Sequence, residues 1–103
     1  MTTKSFMKTY LDGTRVLLNE KWEYHCEDGP AFIGSDNTKY WYINGKLHRN
    51  DGPARIYSDG SIAWYLNGIH IPLRDVENWM RTHDIISWPF SKEISIMFEL
   101  SFP

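Results

Sequence analysis

The sequence predicts a mainly β domain of the α+β class: an antiparallel meander of repeated hairpins with a C-terminal helix packed on the sheet. Three observations carry that expectation. Residues 25–47 recur without a gap as residues 48–70, with His25 to Ala31 matching His48 to Ala54 and Trp41-Tyr42-Ile43-Asn44-Gly45 matching Trp64-Tyr65-Leu66-Asn67-Gly68. A fixed period of this length marks stacked supersecondary units, each burying its apolar face against the next. The dipeptides Asp12-Gly13, Asn44-Gly45, Asp59-Gly60 and Asn67-Gly68 are hairpin turns between short runs rich in aromatic and β-branched residues. Aromatic content is 16%, and such side chains suit a pleated, half-buried surface.

In chain order, residues 3–11 read as a first strand, with Phe6, Lys8 and Tyr10 on one side and Met7, Thr9 and Leu11 on the other. Residues 14–18 return it. Setting Asp12-Gly13 against Asp59-Gly60, and Asn19 against Asn67, makes residues 12–19 a degenerate partial repeat one residue short. A terminal repeat is atypical because one side lacks a neighbour. Residues 21–26 read as a short strand, Asp28-Gly29-Pro30 as a turn, and Ala31 to Ile33 as the strand that follows. Thr38 to Ile43 reads as one strand, and the second unit repeats the plan with Ala54 to Tyr57 and Ser61 to Leu66. Connections this short place each strand beside its sequence neighbour.

Period 2 puts Trp41, Ile43, Trp64 and Leu66 on one face with Ile33 and Ile56, and Tyr40, Tyr42 and Tyr65 on the other. The first face is the expected core, so Trp41 and Trp64 are both expected inside. The tyrosine face is either covered or a recognition surface. The period stops at Ile71-Pro72. Leu73 to Thr82 reads as a helix, with Asp75 and Glu77 near its start, Arg81 and His83 near its end, and an apolar stripe of Val76, Trp79 and Met80. Ser87-Trp88-Pro89-Phe90 is a rigid connection. In the tail, Ile94, Ile96, Phe98, Leu100 and Phe102 alternate with polar residues and Met97, which favours a strand over a Ser91-capped helix packing Ile94, Met97 and Phe98.

The chain of 103 residues is expected to form a single domain, 1–103, with a non-repeat segment from 71 to 103. A net charge of −2 lacks the Lys/Arg excess of a protein that neutralises phosphates or docks on an anionic membrane. No apolar core follows Met1 to Ser5, and no run of about 18 apolar residues occurs, so a cytoplasmic protein is expected. Cys26, the single cysteine, cannot form an internal disulfide.

Candidate chemistry is sparse. His25, His48 and Cys26 would suit zinc if they converged, but a histidine before each Asp-Gly-Pro turn is better read as structural, bonded to a backbone carbonyl or to Asp28 or Asp51. Cys26 as a nucleophile needs a base, and His25, next to it on a strand, points the other way. Asp28, Asp36, Asp51 and Asp59 sit in turns, where carboxylates accept local backbone donors. No catalytic, cofactor-binding or metal-ligating residue is assigned, and a non-enzymatic protein is expected.

The consensus His-Arg-x-Asp-Gly-Pro-Ala followed by Trp-Tyr-x-Asn-Gly, carried by His48 to Ala54 with Trp64 to Gly68 and by His25 to Ala31 with Trp41 to Gly45, resembles the MORN-like repeats of small proteins from tailed bacteriophages and giant viruses. Cys26 departs from it, standing where arginine is usual. The resemblance implies stacked hairpins and a phage accessory protein that binds, and modulates or inhibits, a host protein in the host cytoplasm. Repetition lines up equivalent side chains, so Lys39, Tyr42, Lys46, Arg49 and Tyr65 are the expected protein-binding residues, aromatic anchors with a charged rim. An unpaired tail strand would allow homo-oligomerisation. The alternatives are a nucleic-acid module, stacking bases near Lys39-Tyr40-Trp41-Tyr42, and a structural or assembly component.

Overall fold

The turns set the spacing of everything else. In the computed structural model, which describes residues 5–103, the side chains of Asp12, Asp36 and Asp59 each accept the backbone N–H two residues on, at 2.9, 3.0 and 2.9 Å. After Asp36 and after Asp59 comes an Asn-Gly turn, where Asn44 and Gly45 have φ of 47° and 79° and Asn67 and Gly68 have 51° and 80°. Positive φ at both central residues gives the turn whose twist matches that of the flanking strands. Gly60, at 89°, completes the set expected from sequence.

The strands are β1 (Phe6–Thr9), β2 (Arg15–Leu18), β3 (Phe32–Ile33), β4 (Lys39–Tyr40), β5 (Tyr42–Ile43), β6 (Lys46–Leu47), β7 (Arg55–Ile56), β8 (Ile62–Leu66) and β9 (Ile69–Ile71). Helices α1 (Leu73–Thr82) and α2 (Lys92–Ser101) follow. An antiparallel sheet runs in the order β1-β2-β3-β4-β7-β8-β9, and β5-β6 is a separate hairpin. The class is mainly β, as the turn spacing predicts, with two helices where one was expected. Residues 3 and 4 of the expected first strand lie outside the described residues.

Three local expectations need correction. Thr38 to Ile43 is not one strand, because the chain changes partner at Trp41: Tyr40 pairs with Arg55 but Tyr42 with Leu47. Residues 21–26 form no strand and make only a bridge between Leu18 and Tyr24. The partial repeat is not a residue short. Six positions separate Asp12 from Leu18, Asp36 from Tyr42 and Asp59 from Tyr65, the residues that face Tyr24, Leu47 and His70 across each hairpin. The first hairpin instead has a longer loop, 19–23, with Trp22 at φ 63°. Asn19 thus stands in the place of Ile43 and Leu66, not of Asn67. It is buried at 4% exposure and donates to Glu23 Oε1 and Asn44 Oδ1 while accepting from the backbone of Lys21 and Glu23.

The core lies under the last hairpin. Trp64, Leu66 and Ile71 pack against Val76 and Trp79 of α1, Phe90 of the connection and Phe98 of α2. Helix α1 matches the predicted span, and its Val76 and Trp79 are the buried positions. The tail is a helix, not the expected strand. Ser91 caps it by accepting from Ile94 N–H, and Ile94, Phe98 and Phe102 face the core at four-residue spacing. A strand would have had to bury Ile96 and Leu100 too, and these are 51% and 76% exposed. Self-association through a C-terminal strand therefore has no strand to use; the sheet's outer strands are β1 and β9.

Candidate functional site

Strand register decides which side chains meet. Phe32 faces Tyr40, and Tyr40 faces Arg55, so these three project from one face, joined by Tyr57 two residues beyond Arg55. The rings form a chain: Tyr42 to Tyr24 at 5.1 Å, Tyr24 to Phe32 at 6.3 Å, Phe32 stacked on Tyr40 at 5.1 Å, and Tyr40 to Tyr57 at 6.0 Å. Arg55 lies amid them, its guanidinium 5.0 Å from the Tyr40 ring and 5.3 Å from that of Tyr65, with Nη1 donating to the Tyr57 hydroxyl. All are half-buried. Both helices pack on the opposite face, against Trp64 and Leu66.

The five residues singled out from sequence do not share one face. Tyr42 and Tyr65 belong to the tyrosine face. Lys39 is in register with Ile33 and Ile56, and Lys46 with Ile43, which sets both lysines on the other side. The Arg49 guanidinium lies over Trp41, its central carbon 4.1 Å from the ring centroid, with Nε 2.7 Å from Asp51 Oδ1 and Nη1 donating to the Pro53 carbonyl at 3.1 Å. It holds its own loop together rather than forming a charged rim. Arg55, missed in the sequence reading, is the cation that the tyrosines surround. Its place opposite Tyr40 and two before Tyr57 was the available signal.

The histidines are structural in a way that differs from expectation. His25 Nδ1 accepts from the backbone N–H of Asn44, and His48 Nδ1 from that of Asn67, both at 2.9 Å. Each histidine thereby pins the Asn-Gly turn of its own copy, with an amide as partner rather than a carbonyl or aspartate. The acceptor role fixes the proton on Nε2, which faces Glu27 at 3.5 Å in one copy and Glu99 at 3.8 Å in the other. Burial holds the His48 pKa below the ordinary value, with Glu99 opposing. No group of three or more metal-ligating side chains converges among the described residues. The Cys26 thiol donates to Asp28 Oδ1 at 3.2 Å, and burial, then Asp28, raises its pKa. A thiol held protonated in this way is a poor nucleophile.

On the side away from the tyrosines, a groove of about 580 Å³ runs between the loops 26–30 and 48–51, with Trp41 and Ile43 in its wall. Among the described residues, no helix is long and apolar enough to cross a membrane. Compared with models of known families, with curated proteins and with solved structures, the chain gives no match.

Proposed function

We propose that this chain is a non-enzymatic interaction protein whose recognition surface is the tyrosine face. One observation supports the reading above others: a continuous chain of half-exposed rings around Arg55, on the face opposite the helices. Tyrosine and arginine are the side chains most enriched where binding energy concentrates, because they combine large area with few rotamers and a polar tip. Of the residues expected from sequence, Tyr42 and Tyr65 remain in this surface. Lys39, Lys46 and Arg49 are replaced by Arg55, Tyr40 and Tyr57. The resemblance to MORN-like phage proteins makes the partner a host protein in the bacterial cytoplasm.

The test is capture of partners from bacterial lysate with and without nuclease, using the chain and a Tyr40→Ala/Tyr65→Ala variant. A stoichiometric protein that survives nuclease and is lost with the variant supports the proposal. Nuclease-sensitive recovery would replace it with base stacking on the same rings. Partners retained by the folded variant would move recognition elsewhere.

A further inference from the structure

The groove beside loop 26–30 can be compared with its own repeat. In the second copy, the guanidinium of Arg49 fills the loop, bonded to Asp51 and to the Pro53 carbonyl and packed so close to Gly52 that a Cβ there would lie 2.8 Å from its central carbon. In the first copy the corresponding residues are Cys26, Asp28, Gly29 and Pro30. Cys26 keeps the bond to the aspartate, at 3.2 Å, but its side chain ends there. Nothing lies within 4 Å of a Cβ built on Gly29, and among the described residues no donor reaches the Pro30 carbonyl. All four residues line the groove. The loop has kept the acceptors of a guanidinium site and lost the guanidinium.

We infer that this groove receives an arginine side chain carried by a partner protein, in the position that Arg49 fills in the next copy. The charge is complementary: Glu27 and Asp28 are exposed at its edge, and Asp51 on the far wall is already matched by Arg49. Arginine fits better than lysine because the equivalent carboxylate and carbonyl one copy on, those of Asp51 and Pro53, take two nitrogens of one planar guanidinium. Leu17 stands where Trp41 supports Arg49, so the incoming group lacks a stacking ring beneath it and a single arginine binds weakly. The inference rests on the protein-binding reading only for the source of the arginine, since the groove and the tyrosines lie on opposite sides.

Titration of the ¹⁵N-labelled protein with acetyl-Gly-Arg-Gly-amide tests it. Saturable shifts are expected at the amides of Cys26, Asp28 and Gly29 and at the Trp41 indole, about tenfold weaker in affinity with the lysine peptide or with Asp28→Asn. Cys26→Arg should fill the site from within and abolish the shifts. Should that variant fail to fold, the lysine peptide and Asp28→Asn still decide. Equal response to both peptides, no response, or indifference to Asp28→Asn would overturn the site. The same shifts appearing on concentrating the protein alone would assign the arginine to a second copy and overturn a separate partner. The Tyr40→Ala/Tyr65→Ala variant should give unchanged shifts, so failure of the tyrosine-face reading is distinguishable from failure of this one.

Discussion

Trp64 and Trp41 occupy equivalent places in the repeat, yet their truncation should differ several-fold in cost. Trp64 is 1% exposed and stacks on Phe90 at 5.7 Å, with the edges of Phe98 and Trp88 at 5.5 and 6.4 Å. Replacing it by Ala empties the centre of the only aromatic cluster that joins both helices to the sheet among the described residues, at about 3–5 kcal/mol. Trp41 is half-buried and covered by the Arg49 guanidinium. Losing that contact and half a ring's burial costs about 1–2 kcal/mol. Urea unfolding reads the difference. With a slope of about 1.5 kcal/mol/M, Trp64→Ala should lower the midpoint by about 2–3 M and Trp41→Ala by about 1 M. Trp64→Phe is an informative control, because the indole N–H of Trp64 is buried without a partner. Phe keeps the stack and removes that orphan donor, so its cost should fall to about 1–2 kcal/mol. Equal midpoints for the two Ala variants would refute this account of the core.

Protonation of His48 should destabilise the fold, because it removes the acceptor for Asn67 N–H. Its folded pKa lies below the ordinary 6.5, so the unfolded chain takes up the proton first; the contribution is present above about 6.5 and lost as pH falls through the folded value. Thermal midpoints measured from pH 7.5 to 5 should fall, and His48→Asn, whose oxygen can accept without titrating, should flatten that step. Gly68→Ala, at φ 80°, should cost about 1 kcal/mol, whereas Gly29→Ala, with open space at its Cβ, should stay within about 0.5 kcal/mol; denaturant midpoints compare them. Cys26→Ser should leave stability and partner capture unchanged, and a thiol reagent at neutral pH should modify Cys26 slowly, in keeping with its raised pKa; rapid modification with loss of capture would contradict this.

The turns and the helix α1 were legible because their causes are local. An Asp or Asn beside Gly specifies its own turn, and Val76 and Trp79 lie three apart whatever surrounds them. The tail was illegible because alternation and helical spacing share residues: Ile94, Phe98 and Phe102 satisfy both. Only the shape of the Trp64 cluster, a tertiary fact, selects the helix. Asn19 misled for a related reason. It resembles the turn asparagines, but a buried amide making four hydrogen bonds to three residues holds a longer loop closed, and no pairwise alignment reveals the extra residue. Lys39, Lys46 and Arg49 were grouped with the tyrosines because repetition lines up equivalent side chains, whereas strand register sets the lysines on the other face and Arg49 is bonded into its own loop.

The end of the repeat shows why the C-terminal segment has the form it does. A fourth copy would offer an Asn amide to a histidine at position 71 and a return loop packed against the last hairpin. The chain offers neither, and Ile71 takes the histidine's place, buried at 5% exposure. A histidine there would lack its amide partner, and a buried unsatisfied polar group costs about 1–3 kcal/mol. The connection after α1 then comes back to loop 49–53, where Phe90 N–H donates to the Asp51 carbonyl at 2.7 Å and the Phe90 ring stacks on Trp64. Helix α2 adds Glu99 beside His48 and Asn50. The helices thus occupy, above the last hairpin, the place of the groove that remains open one repeat earlier between loops 26–30 and 48–51. The open groove and the covered one are the same feature of the repeat, and the helices extend far enough to close only one of them.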